Sequence, residues 1–119
     1  MKSVVGMLVF LCCVVSLVSA ATLDVDRVDD DPTATACTAA PDDCSLRGAV
    51  IAANAAAGSD TIVLSSATYA LTVAGEHEDL SATGDLDITD DLTIQGAGAD
   101  LSIIDGGDLD RVLHVPAFY

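Results

Sequence analysis

Two groups of aspartates are the side chains whose spacing most readily suggests chemistry. Hard cations such as calcium are bound by several carboxylate and carbonyl oxygens. Neither group matches the Asp-x-Asp-x-Asp-Gly calcium loop or a glycine-aspartate nonapeptide repeat, so solvated turns are the favoured interpretation and no metal ligand is assigned. Calcium binding is kept as the alternative. The two groups are Asp85, Asp87, Asp90 and Asp91, and then Asp105, Asp108 and Asp110.

The two histidines do not belong to a recognisable catalytic motif. His77 lies between acidic residues in a polar stretch, and no second histidine follows four residues later as in a helical metal motif. His114 lies in an apolar run, where we expect it on the outer face of a strand, and no serine or cysteine nucleophile motif accompanies it. Paired carboxylates could hydrolyse glycosides, but only at a suitable separation beside a groove. The sequence therefore assigns no catalytic residue.

Cys37 and Cys44 are the cysteines that follow the apolar N-terminal segment. In an oxidising compartment they can close a short loop, which the loop-entropy model values at about 2.5 kcal/mol. Two reduced thiols are the alternative, and a metal site is disfavoured because no second Cys or His pair completes four ligands. We predict a disulfide between these two residues.

The first 20 residues have the organisation of a secretory signal peptide. Lys2 supplies the positive start, residues 4–18 are almost wholly apolar, and a small-x-small pattern ending at Ala20 precedes Ala21. An apolar core of about 15 residues is short for a membrane span of roughly 20, so a retained anchor is less favoured than cleavage. A lipoprotein is a minor alternative. The sequence predicts a signal peptide over 1–20, cleavage between Ala20 and Ala21, and a secreted or cell-surface location.

The chain that follows the signal peptide is strongly acidic. It contains three arginines and no lysine against 19 acidic residues, a formal charge of −16. Such a surface repels phosphate backbones and anionic membranes. Nucleic acid is therefore excluded as a partner.

One segment is predicted to be helical, from Ser45 to Ala57. Its apolar residues recur with the i, i+3, i+4, i+7 spacing of one helical face. Ser45 is the predicted N-cap because its hydroxyl can accept from the amide of Gly48, and Gly58 should end the helix. Residues 21–43 form a separate zone, with one short strand near Leu23-Asp24-Val25 and an acidic loop. The apolar residues of the helix are Leu46, Ala49, Val50 and Ala53.

From Asp60 onward the chain breaks into short β-branched runs separated by Gly and Asp. These runs are too short for a barrel or sandwich of long strands, and the gaps are too short for intervening helices. Ile94, Ile103 and Val112 recur nine residues apart, which suits short straight segments joined by tight bends, with apolar side chains in an interior column. An antiparallel meander is the alternative. The runs are Thr61–Leu64, Leu86–Ile88, Leu92–Ile94, Ser102–Ile104 and Arg111–Val115.

Several short segments occur in a distinctive order: Cys44–Val50, Ala53-Asn54, Asp60–Leu64, Tyr69, Gly84–Ile88, Leu92–Gly98, Ile104–Gly106 and Leu109–Val112. Together they resemble the CSLREA domain, the N-terminal module of large secreted bacterial proteins with pectin-lyase-like folds. The resemblance implies an all-β solenoid, the start of a right-handed parallel β-helix with a short N-terminal α-helical cap. It is specific for architecture and not for activity.

Gly48 departs from the pattern of that family, which has Glu at this position. A Glu three residues after the Ser45 cap would complete a capping box by accepting from the Ser45 amide. Glycine also costs about 1 kcal/mol relative to alanine inside a helix. The sequence therefore predicts that Gly48→Glu raises the melting temperature, whereas a neutral or lowered value would show that Gly48 is needed for close packing.

The end of the chain is a second departure. At 20 to 30 residues per coil, residues 60–119 have room for about two or three coils. Residues 44–119 are thus expected to be the cap helix and first coils of a β-helix, truncated relative to longer relatives. An open last coil would expose strand edges and apolar side chains, so self-association through this C-terminal end is expected as one way to cover it.

The resemblance implies two kinds of function. We favour a noncatalytic secreted or cell-surface module with an adhesion or structural role, whose partner would be an extracellular glycan or surface ligand. The alternative is a fragment of a polysaccharide lyase or glycosidase. A lyase acting on acidic sugars needs cations, metals or bases of raised pKa. The three arginines after the predicted signal peptide supply few cations for such a reaction. No cofactor is assigned.

Overall fold

The computed structural model describes residues 20–75, 79–109 and 111–116. The predicted signal peptide up to Ser19, His77 and Asp110 lie outside the described residues. Within the described part of the chain, no helix has the length and apolar character needed to cross a membrane. The elements are β1 (Thr22–Asp24), α1 (Leu46–Ala55), β2 (Asp60–Val63), β3 (Ala67–Ala70), β4 (Leu86–Asp87), β5 (Leu92–Gln95), β6 (Ser102–Asp105) and β7 (Leu113–His114).

Every pair of these strands that is joined by a ladder is parallel. β5 pairs with β2, β6 with β3, and β7 with β4, so three strands stack on the three preceding ones in the same chain order. β1 pairs with the other edge of β2. We call β2, β3 and β4 the first tier, and β5, β6 and β7 the second tier. The antiparallel meander considered from the sequence does not describe these strands.

The three nine-spaced residues lie on three different sides of one tier. Ile94 is in β5, Ile103 is in β6, and Val112 directly precedes β7. Ile94 and Val112 pack against the buried core, as expected for an interior column. Ile103 is 44% exposed, and its neighbour Ile104 packs inward in its place. The interval therefore marks successive sides of a tier, while residues that stack between tiers are much further apart, as with Thr68 opposite Ile103.

The core lies between α1 and the first tier. Each strand of that tier contributes a buried side chain, namely Ile62, Tyr69 and Leu86, and the helix contributes Ala49 and Val50. Burying side chains of this size removes enough apolar surface to contribute about 1.5 to 3 kcal/mol each. The tyrosine hydroxyl is also satisfied, because it accepts from the Ser65 amide at 3.0 Å. The core is therefore concentrated in the first tier and its cap.

The helix begins where the sequence predicts. Ser45 is its N-cap, and the Ser45 hydroxyl accepts from the Gly48 amide at 2.9 Å. The helix ends at Ala55 and not at Ala57, because Ala56 already has an extended conformation; Gly58 follows with a positive φ of 107°. The expected helix is thus confirmed at its start and shortened by two residues at its end.

The close approach of the Ala34 backbone to Gly48 argues against the expectation that Gly48→Glu stabilises the helix. A Cβ atom at this position would lie 1.9 Å from the carbonyl oxygen of Ala34. That same carbonyl accepts from the Ser45 amide at 3.2 Å. The Ala34 carbonyl therefore occupies the role that a capping-box glutamate would have, and it can approach only a residue without a side chain.

Candidate functional site

The strands β4 and β7 and the segment before β4 bring four titratable side chains together, which we call the Asp–His cluster: Asp79, Asp85, Asp87 and His114. Asp87 and His114 are direct partners in the parallel register. Side chains that are opposite one another on neighbouring strands project from the same face of the sheet. Nδ1 of His114 consequently lies 2.7 Å from Oδ1 of Asp87.

Asp87 is held rigidly in this cluster. Its side chain is fully buried, and its Oδ2 accepts from the amide of Ser81 at 3.2 Å. The hydroxyl of Ser81 accepts from the Asp87 amide at 2.7 Å and donates to the Asp87 carbonyl at 2.8 Å. Ser81 itself has a positive φ of 60°, a conformation that is uncommon for a residue with a side chain. The imidazole of His114 is therefore oriented by a carboxylate that has little freedom to move.

The rest of the cluster is closer to solvent. The side chain of His114 is 26% exposed and that of Asp79 is 68% exposed, with Nδ1 of His114 3.6 Å from Oδ1 of Asp79. Asp85 is buried, and its Oδ2 lies 3.9 Å from the same nitrogen. The Nε atom of Arg111 donates to this Oδ2 at 2.6 Å, although the arginine side chain is 58% exposed. The Asp–His cluster thus combines an oriented imidazole with two buried carboxylates, and the Arg111 cation lies beside it at the surface.

The cluster is also the place where a metal ion could be held. Among the described residues, Asp79, Asp87 and His114 form the one group of three or more His, Cys, Asp or Glu side chains whose ligand atoms lie within 4.8 Å of one another. Two carboxylates and an imidazole suit a divalent transition ion better than calcium, which prefers six to eight oxygen ligands. The donor set fits a calcium ion poorly.

The two predicted aspartate groups are placed differently from one another. Asp85 and Asp87 of the first group enter the Asp–His cluster. Asp91 of the same group instead accepts from the Ser59 hydroxyl at 3.4 Å beside β2. In the second group, Oδ1 of Asp105 accepts from the Gly107 amide at 2.9 Å, as in a turn. Among the described residues, Asp87 is the one member of these two groups that belongs to the set of converging ligand atoms.

A shallow groove adjoins the cluster at Asp79. It has a volume of about 360 Å³ and lies against the outer face of α1. The other residues that line it are Ile51, Asn54, Ala55, Leu80 and Thr89. Asn54 also joins the helix to the β4 region, because its side-chain amide donates to the Asp87 carbonyl at 2.7 Å. The groove is large enough for a sugar-sized ligand and is lined mainly by neutral side chains.

A second polar centre, which the sequence did not predict, lies inside the protein. Arg47 is fully buried, and its Nε and Nη2 atoms donate to the two carboxylate oxygens of Asp30 at 2.6 and 2.9 Å. Nη1 donates to the carbonyl of Ser81 at 2.8 Å, and Nη2 donates also to the carbonyl of Gly84 at 2.7 Å. One feature of the sequence could have indicated this centre: Arg47 lies among apolar residues and is one of three arginines that follow the predicted signal peptide.

Asp30 completes this centre from the other side. Its Oδ2 accepts from the amides of Thr72 and Val73 at 2.7 and 3.0 Å. Burial alone would raise the pKa of Asp30, but the Arg47 guanidinium and the two amides outweigh burial and lower that pKa below its ordinary value. The Arg47–Asp30 pair thus ties α1 to the loop before it, the loop after β3 and the loop before β4. The role of this buried pair is therefore structural.

The remaining predicted site residues lie at the edge of this framework. Cys37 and Cys44 form a disulfide with a Cα–Cα distance of 4.4 Å, directly before the N-cap. Ala20 and Ala21 lie just before β1 and are exposed. The Ala21 carbonyl accepts from the amide of Thr61 at 2.9 Å, so the predicted cleavage site borders the first tier.

Comparison with known proteins adds no relative from which a role could be transferred. No protein-family model, curated protein or solved structure matches the chain. The strand arrangement, the Asp–His cluster and the groove beside it are therefore the features that bear on function.

Proposed function

We propose that this chain is a noncatalytic exported module, the cap and first coils of a right-handed parallel β-helix with an adhesion or extracellular structural role. The observation that carries the proposal is the stacking of β5, β6 and β7 on β2, β3 and β4 in parallel and in the same order. A solenoid whose coils each have three short strands produces this pattern. The resemblance of segments within residues 44–112 to the CSLREA domain supports the same architecture.

The first tier has the features of a capped end. β1 pairs with the outer edge of β2, and α1 packs its buried residues against the same tier. Terminal repeats of solenoids need such a cover because their apolar column would otherwise meet water. The disulfide before the helix suits an oxidising, extracellular setting.

The second tier has the features of an end on which more structure is placed. Among the described residues, five large apolar side chains in and around it are 43 to 59% exposed: Leu101, Ile103, Leu109, Leu113 and Val115. Leu113 is the clearest case, because Leu86, its register partner in the first tier, is fully buried. We propose that a further coil or a second copy of the chain covers the exposed end of the second tier. Cover by a second copy would be the self-association that the sequence predicts.

A cross-link between the tiers tests the architecture. Thr68 and Ile103 are partners in the register and are both exposed. Thr68→Cys/Ile103→Cys should therefore form a disulfide in mild oxidant, because in-register Cα atoms lie within the range that a disulfide spans. Thr68→Cys/Asp105→Cys is the matched control, since Asp105 lies two residues further along the same face. Equal cross-linking of both variants, or of the control alone, would contradict the stacked arrangement.

Binding and turnover assays test the role. The secreted protein is applied to an array of extracellular glycans, and the same glycans are then incubated with it and analysed for shorter or unsaturated products. We expect binding to at least one surface glycan without product formation. Product release would overturn the noncatalytic assignment, and binding to nothing on the array would leave the structural role in place and remove the adhesive one.

A second candidate function rests on the Asp–His cluster. The buried Asp87 orients the partly exposed His114, and the Arg111 side chain is exposed close by. A glycan lyase needs a base for proton abstraction and a cation to neutralise the sugar carboxylate. If acidic glycans yield unsaturated products, His114→Gln and Arg111→Gln should each abolish the release, whereas Arg27→Gln, at an exposed arginine elsewhere, should not.

A further inference from the structure

The carboxylate of Asp60 has an unusual combination of burial and incomplete hydrogen bonding. Asp60 is the first residue of β2 and is 1% exposed. Its Oδ1 accepts from the backbone nitrogen of Ala21 at 2.9 Å. Among the residues that the structure describes, its Oδ2 is the one buried side-chain polar atom that has no hydrogen-bond partner. An unpaired buried carboxylate oxygen is costly, so its presence points to a donor that the described residues do not supply before cleavage.

Ala21 is held in place opposite this carboxylate. The Ala21 carbonyl accepts from the Thr61 amide at 2.9 Å, while its nitrogen donates to Asp60. β1 begins at the next residue and continues the pairing with β2. The nitrogen of Ala21 is therefore fixed against Asp60 by the register of the sheet, and it is also the nitrogen that the predicted signal cleavage would release.

We propose that Asp60 is the buried counter-ion of the α-ammonium group that signal cleavage creates at Ala21. A signal peptidase hydrolyses the Ala20–Ala21 bond with one water. The water oxygen joins the carbonyl carbon of Ala20 to form a carboxylate, and both water protons end on the Ala21 nitrogen, which leaves as an ammonium. This inference rests on the predicted cleavage site and is independent of the proposed adhesive role.

The new terminus has the donors that Asp60 lacks. An amide nitrogen carries one N–H, whereas an ammonium carries three, so a second N–H can reach Oδ2 while the first stays on Oδ1. An α-amino group ordinarily has a pKa of about 7.7 to 8.0 and is charged at neutral pH. Removal of the leader thereby turns a buried, half-satisfied carboxylate into a hydrogen-bonded ion pair at the edge of the first tier. Processing and the stability of the cap are then coupled.

The composition of the mature chain makes this inference easy to test. The only lysine is Lys2, which lies in the predicted signal peptide, so the released chain has a single primary amine at its N-terminus. The full chain is expressed with its leader in an exporting bacterial host, and the N-terminus of the recovered protein is read by mass spectrometry. Acetylation of that protein then removes one positive charge and two donors at one known atom.

Urea unfolding of the free and the acetylated protein measures the energetic coupling between the N-terminal ammonium and Asp60. We expect acetylation to lower the folding equilibrium constant at least about tenfold in the wild type, because it leaves a buried carboxylate without its counter-ion. It should change the constant less than about twofold in Asp60→Asn, by comparison with other exposed charge changes. Asp24→Asn is the matched control, since this exposed aspartate is also near the terminus, and there the effect of acetylation should match the wild type.

Two outcomes would overturn the proposal. One is a terminus at a residue other than Ala21, and the other is an unfolding midpoint that acetylation does not change in the wild type. If Asp60→Asn does not fold, the acetylation rate of the wild-type amine decides. An amine paired with Asp60 should react at least about tenfold more slowly in the folded protein than in urea, by analogy with other protected groups. Equal rates would contradict the pairing.

Discussion

The two tiers of strands have the same order and direction but differ in what covers them. Leu86 in β4 and Leu113 in β7 are register partners, yet Leu86 is fully buried and Leu113 is 45% exposed. The first tier has the second tier on one edge, while β1 pairs with the other edge of β2 and α1 contacts β2 and β4. The same strand geometry therefore yields a stable core only where both edges of the stack are covered.

Polar groups follow the same division. The fully buried Arg47–Asp30 pair and the buried Asp87 serve the first tier and its cap. The second tier contributes Arg111 and His114, which are partly exposed and are attached to carboxylates of the first tier. Buried ions in the first tier fix the loops that shape it, whereas the second tier presents ionisable groups to solvent.

Replacement of Arg47, which serves the first tier, should produce the largest loss in the free energy of unfolding. Arg47→Met keeps much of the volume but leaves Asp30 buried without its cation, which should lower the free energy of unfolding by about 3 to 5 kcal/mol. Arg27→Met is the control, because the exposed Arg27–Asp29 pair should contribute less than about 1 kcal/mol. Urea denaturation measures both. Similar losses in the two variants would mean that the buried pair does not organise the first tier.

Alanine substitutions at the register partners Leu86 and Leu113 directly compare how well the two tiers are shielded from solvent. Leu86→Ala should cost about 2 to 5 kcal/mol because it opens a cavity in the core. Leu113→Ala should cost less than about 1 kcal/mol if its side chain remains half in water. The measurement is urea denaturation combined with light scattering. Equal losses, together with an associated species, would show that a second copy covers the second tier in solution.

Substitution of Gly48 should have a smaller effect, confined to the capped end. Both Gly48→Ala and Gly48→Glu place a Cβ against the Ala34 carbonyl, so each should lower the free energy of unfolding by about 1 to 3 kcal/mol. The capping box that Glu would offer cannot compensate, because the Ser45 amide already donates to Ala34. Thermal unfolding of both variants is the measurement. A raised melting temperature for Gly48→Glu would show that the Ala34 loop can move away.

Local features of the fold could be predicted from the sequence, and contacts between distant segments could not. The hydroxyl of Ser45 and the apolar spacing after it predicted the start of α1, and the five β-branched runs coincide with β2, β4, β5, β6 and β7. β3 was missed because Ala67-Thr68-Tyr69-Ala70 has no branched apolar run. A pattern within a few residues carries the signal for a cap or a strand.

The polar centres were missed for a different reason. Arg47 and Asp30 are 17 residues apart, and Asp87 and His114 are 27 apart, so neither pair has a spacing that a helix or a turn would bring together. The contact of Gly48 with Ala34 likewise depends on the path of the acidic loop. Only the register of the stacked strands and the docking of that loop place these groups side by side.

Acid should weaken the capped end through Asp30, the smallest effect considered. Its pKa is lowered in the folded protein from an ordinary value of 3.8, so below about pH 4 the unfolded chain binds a proton that the folded protein does not. The stability that Asp30 contributes is therefore present above about pH 4 and is lost as pH falls through its folded pKa. Urea denaturation between about pH 6 and about pH 3 should show that the free energy of unfolding falls more steeply with acid in the wild type than in Asp30→Asn. Because Asp31 is more exposed, Asp31→Asn should change the slope less, and equal slopes in all three proteins would contradict the role assigned to the buried pair.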